Sequence, residues 1–155
     1  MTKPRRKPAT SIEGTISLIE QAAKGPHKPP AHVRMRDVDM PFWAGIMNAR
    51  ARDDWSKCDL VVAAQLARTQ AGIESESELL EAEGTIILNR ADETVINPRV
   101  VVVERMAARE MALLRTLRLG GLGNGANAKE RRRLELQAEQ ITQESTEEVD
   151  SELLA

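Results

Sequence analysis

The chain has 155 residues and a formal net charge of −2, a length that suits one domain with appendages. A single cysteine, Cys58, excludes an intrachain disulfide and any cysteine-cluster metal site. Phe42, Trp43 and Trp55 are the only aromatic residues, too few to build stacking platforms for single-stranded nucleic acid.

The small net charge hides an asymmetry. Up to Arg52, ten Lys and Arg face four Asp and Glu, a local charge of +6, whereas from Asp53 onward acids outnumber bases. A basic front seeks phosphate. An acidic end is solubilising or binds protein. No apolar run is long enough to span a bilayer, and the N-terminus lacks the apolar core of a signal peptide, so a cytosolic compartment and no membrane are expected.

In chain order, residues 1–10 carry Lys3, Arg5, Arg6 and Lys7 among prolines and read as a disordered basic arm, either a solubility tail or a DNA-contacting segment. Thr10-Ser11-Ile12-Glu13 is a capping-box sequence, and Ile12, Ile16, Ile19 and Ala23 follow at helical spacing up to Gly25-Pro26. A Pro-rich connection then holds Lys28, Arg34 and Arg36. His27 and His32 lie in it without a nearby cysteine and make a poor metal site. Asp37 and Asp39 are expected to cap a second, short helix over Pro41–Arg52, whose apolar side is Phe42, Trp43, Ile46 and Met47 and whose polar side includes Arg50 and Arg52. Residues 11–54 are therefore expected to form a helical, helix-turn-helix-like segment that binds DNA through these basic residues, or else a helical pair with a solvated arginine face.

Residues 55–121 read as long helix, β-hairpin, long helix. Ser56-Lys57-Cys58-Asp59 opens the first helix with a Ser and an acid three residues on, and Glu83-Gly84 ends it. Leu60, Ala64, Ala67 and Ala71 form a stripe that permits close helix approach. The acidic half beyond Gly72 reads as a solvated face, and Gly72 itself as a possible kink. Thr85–Leu88 and Thr94–Ile96 are β-prone runs around the turn Arg90-Ala91-Asp92-Glu93. Asn97-Pro98 opens the second helix, with Asn as cap and Pro at the first helical position. It is expected to run to Leu119 before Gly120-Gly121. Val103, Met106, Ala107 and Leu114 belong to two apolar stripes, and a helix apolar on two faces touches two partners. Helices of roughly 25 residues extend ~40 Å at 1.5 Å per residue, more than one small domain can cover. The chain is accordingly expected to form a homo-oligomer through Leu60, Ala64, Ala67, Ala71, Val103, Met106, Ala107 and Leu114.

Residues 122–155 form a linker and an acidic C-terminal tail. The glycines at 120–125 follow a helix instead of a strand and lack the Lys-Ser/Thr ending of a phosphate loop. The last residues place Val149, Leu153 and Leu154 among acids, as in a tail that folds onto a partner, or a featureless tail. No constellation with catalytic spacing is present, and neither cofactor nor metal is expected.

Trp43, then Trp55 followed by Asp59 and the Ala-rich helix, then Glu83-Gly84, the hairpin, Asn97-Pro98 and Leu114-Arg115-Thr116-Leu117-Arg118-Leu119-Gly120 together resemble the small terminase subunits of tailed bacteriophages. The chain departs from that pattern at Asp92-Glu93, where related sequences often carry Gly. The resemblance implies a non-enzymatic subunit of the host cytoplasm that assembles as a ring. It also implies binding to the packaging initiation site on double-stranded viral DNA, and recruitment and regulation of the large terminase subunit, the ATPase-nuclease. The residue pattern alone also admits a dimeric helix-turn-helix regulator or antitoxin, or a structural phage adaptor.

Overall fold

A computed structural model of the chain describes residues 16, 20, 24–119 and 132–140. It is mainly helical. A 3-10 turn, Asp37–Asp39, leads into α1 (Met40–Met47). A second 3-10 turn, Arg52–Asp54, precedes α2 (Lys57–Glu83). The strands β1 (Ile86–Leu88) and β2 (Thr94–Ile96) pair antiparallel before α3 (Pro98–Leu117). Residues 132–140 are helical. The chain divides into two compact units, one of Pro29–Ile46 with Ser56–Gly123, the other of Met1–Lys28, Met47–Trp55 and Asn124–Ala155.

The first of these units is built on α2 and α3, which pack against each other, with the Asp37–Asp39 turn against α2. The α2 cap is the one the sequence calls for. Ser56 Oγ accepts the Asp59 N–H at 3.1 Å, and Asp59 accepts the Ser56 N–H at 3.1 Å. Ala63, Ala64, Leu66, Ala67, Thr69 and Ala71 are buried along α2. Small side chains there let α3 come close. At Gly72 the approach is closest: a Cβ would lie 2.5 Å from the Met106 methyl. Gly72 thus makes room for Met106.

Gly84 ends α2 at φ 85°, a conformation a Cβ disfavours. The hairpin that follows pairs Ile86 with Ile96, Ile87 with Val95 and Leu88 with Thr94. Its turn is built on Asn89, whose Oδ1 accepts the N–H groups of Ala91 at 2.8 Å and Glu93 at 3.0 Å. Asp92 sits at φ 56°, a left-handed conformation that favours Gly. Asp tolerates that region better than most residues, so the departure leaves the hairpin intact.

Asn97 ties the base of the hairpin together. Its Oδ1 accepts the Arg99 N–H at 2.9 Å, capping α3. Its Nδ2 donates to Glu83 at 2.9 Å and to the Gly84 carbonyl at 3.0 Å. α3 stops at Leu117, two residues short of the expected Leu119, because Arg118 turns left-handed (φ 56°) and the Leu119 N–H closes on the Leu114 carbonyl at 2.9 Å.

In the other unit, helical residues 132–140 supply Glu135, which is 1% exposed, and its carboxylate accepts the Arg52 N–H at 2.9 and 3.0 Å. Arg132 binds Glu135 at 2.7 Å and the Asn48 side chain at 2.8 Å. Glu135 therefore receives a backbone N–H that a continuous helix to Arg52 would have used internally. The helix ends at Met47 and the chain resumes as the Arg52–Asp54 turn.

Candidate nucleic-acid interface

The basic residues of the front half fall into different environments. Lys28 and Arg34 are exposed. Arg36 is exposed but clasps the buried Asp39, Nη2 to Oδ1 at 2.6 Å, with its own N–H on Oδ2 at 2.8 Å. That contact holds the Asp39 carboxyl below its ordinary range and raises Arg36. Arg50 is half-buried, its guanidinium 5.1 Å from the Trp55 ring centroid, a cation–π distance. Arg52 is half-buried too. Its guanidinium donates to the Gly25 carbonyl, and its own carbonyl lies 2.9 Å from His27 Nε2. Arg50 and Arg52 thus serve local structure, while Lys28, Arg34 and one side of Arg36 are open to a ligand. Lys3, Arg5, Arg6 and Lys7 lie outside the described residues, as do Val149, Leu153 and Leu154.

A hollow of about 480 Å³ opens where the connection before α1 meets the helical pair. Arg34, Arg36, Gln65, Arg68, Thr69, Gly72, Met106 and Arg109 line it. Gln65, Arg68, Thr69 and Gly72 follow at helical spacing on one face of α2, and Met106 and Arg109 stand three apart on α3. Arg68 and Arg109 lie in a net acidic stretch, so charge counting along the sequence overlooks Arg68 and ranks Arg109, with the other arginines of α3, behind the basic front.

Of the stripe residues expected at subunit contacts, Ala64, Ala67 and Ala71 are buried within their own unit, and Leu60, Val103, Met106, Ala107 and Leu114 are half-buried. The apolar surface left open lies elsewhere. Val101 is 44%, Val102 43% and Met111 50% exposed on α3, and Ile86, Leu88 and Ile96 exceed 60% on one face of the hairpin. The acidic half of α2 stays largely exposed but is partly paired: Arg99 binds Glu76 through Nη1 and Glu83 through Nη2 at 2.8 Å. With Asn97 it pulls the Glu83 carboxyl down to about 2. No helix among the described residues is long and apolar enough to cross a membrane.

The profile of the Hendrixvirinae small terminase family matches residues 1–155. The terminase small subunit of Enterobacteria phage HK97 is 28% identical over 92 residues, 59% of this chain and 57% of that protein, so the match spans a little over half the length of that curated relative. The helical fold agrees with these similarities, which define a bacteriophage protein of the small terminase class. The chain belongs to the Hendrixvirinae small terminase family.

Proposed function

We propose that the chain is the DNA-recognition subunit of a viral genome-packaging machine, acting without catalysis of its own. It assembles as a ring, binds the packaging initiation site on double-stranded viral DNA and recruits the large terminase ATPase-nuclease in the host cytoplasm. The family match over the whole chain carries this reading. The exposed apolar residues of α3 and the hairpin support assembly, because a monomer gains nothing from leaving them in water. The basic front supports phosphate contact, and many copies in a ring convert weak single contacts into tight binding. The acidic, apolar-dotted tail with Val149, Leu153 and Leu154 supports docking of the large subunit.

Two measurements on the purified chain test it together. Native mass should correspond to a closed ring of many copies, where a regulator would give two or four. Addition of the chain to the large subunit should stimulate ATP hydrolysis. A dimeric mass with no stimulation would overturn the proposal.

A further inference from the structure

Arg34, Arg68 and Arg109 converge on the hollow of about 480 Å³, and no ion pair or hydrogen bond joins any of them to another described residue. Arg36 lines the hollow as well, its guanidinium shared with Asp39, the carboxylate bound there. All four arginines are exposed at its rim, while the floor is Gly72 and Met106 and the Thr69 hydroxyl is spent on the Gln65 carbonyl at 2.8 Å. The Asp39 carboxylate, which acts on Arg68 as well as Arg36, offsets part of the arginines' charge, and four guanidinium groups against that one carboxylate leave the hollow net positive. The planar guanidinium forks match the paired oxygens of a phosphate. The rim is open, which suits a polyanion lying across it better than a small anion enclosed within it.

Resting on the packaging reading above, we infer that this hollow is a phosphate-binding site for the backbone of duplex DNA, with Arg68 of α2 and Arg109 of α3 as contacts beyond the basic front. The contacts are to phosphate, so they add affinity for every sequence alike and position the duplex without reading bases.

The test uses the full chain carrying Arg68→Gln and Arg109→Gln, and a fluorescein-labelled duplex of arbitrary sequence followed by anisotropy. Each lost phosphate contact removes about 0.9 from the slope of log K against log salt. The double variant should therefore lose about 1.8 per engaged subunit, bind roughly tenfold or more weakly at low salt, and keep its native mass and helix content. Arg68→Lys with Arg109→Lys, which preserves charge, should retain the parental slope with a smaller loss of affinity. A Gln pair with the parent's affinity and slope overturns the inference while leaving DNA recognition standing. A parent chain that binds no duplex overturns both. A changed native mass would mean that the arginines meet a neighbouring subunit's carboxylates. Parental DNA binding with lost retention on polyglutamate would mean that they meet an acidic protein, and displacement of the duplex by micromolar pyrophosphate at fixed ionic strength would mean a small-anion site. Each of these three also overturns it.

Discussion

Arg99 fastens the hairpin end of the helical pair, since one guanidinium meets Glu76 and Glu83 in the last turns of α2 from the first turn of α3. The Glu83 carboxyl, held at about 2 against an ordinary 4.5, favours the folded state above pH 4.5, and that contribution is lost as pH falls toward 2. Asp39, lowered by Arg36, acts in the same direction. Denaturant midpoints should therefore drop through this acid window, and Arg99→Ala should flatten the drop while lowering the midpoint at neutral pH. An unchanged acid limb in the variant would show that the pair carries no linkage. Arg118 offers the opposite case. It holds a left-handed conformation at the α3 terminus, and its side chain makes no hydrogen bond to another described residue. Arg118→Gly should raise stability by about 1 kcal/mol, read as a higher denaturant midpoint, because Gly adopts that conformation without a Cβ clash.

At the scale of elements, the hairpin is the weakest part by itself, since two strands of three residues are marginal in water. Asn97 fixes its base and Asn89 its turn. Asn97→Ala should cost about 0.5–2 kcal/mol from the lost cap alone, and more once the Glu83 and Gly84 bonds go with it, measured as global unfolding. Asn89→Ala should instead speed amide exchange across residues 86–96 and leave the global midpoint nearly unchanged. These caps were legible in the sequence because each is local: Ser56 with Asp59, Gly84, and Asn97 with Pro98 lie within a few residues of what they fasten. The long helices were legible through their periodicity for the same reason. The shortened α1 was not, because the group that bonds the Arg52 N–H is Glu135, 83 residues away. Nor was the hollow, whose Arg68 and Arg109 come together only when α2 packs on α3. The local partners of Arg50 and Arg52 were not legible either, because a count of charges does not show a guanidinium held on Trp55 or on the Gly25 carbonyl.

At the scale of the whole molecule, folding and assembly should draw on different residues of the same helical pair. Ala64 and Ala67 have no exposed surface, so their burial is complete within one chain. On α3, Val103, Met106, Ala107 and Leu114 share the helical face whose Met106 meets Gly72. Val101, Ala108 and Ala112 repeat at i, i+7 and i+11 on the opposite, exposed side. If subunits meet along that outer stripe, the two sets separate by mutation. Ala67→Glu places an unpaired carboxylate in a closed site, which costs several kcal/mol, and should unfold the chain. Val101→Glu with Ala108→Glu adds charge to open surface, where substitution is usually within about 0.5 kcal/mol for the monomer. That variant should keep its helix content but lose the parental mass in light scattering after size exclusion. Retention of the full mass would move the subunit contact off this stripe. The exposed hairpin face of Ile86, Leu88 and Ile96, the most exposed large apolar residues described, is then the next contact to test, and Ile86→Lys with Ile96→Lys should dissociate the assembly instead.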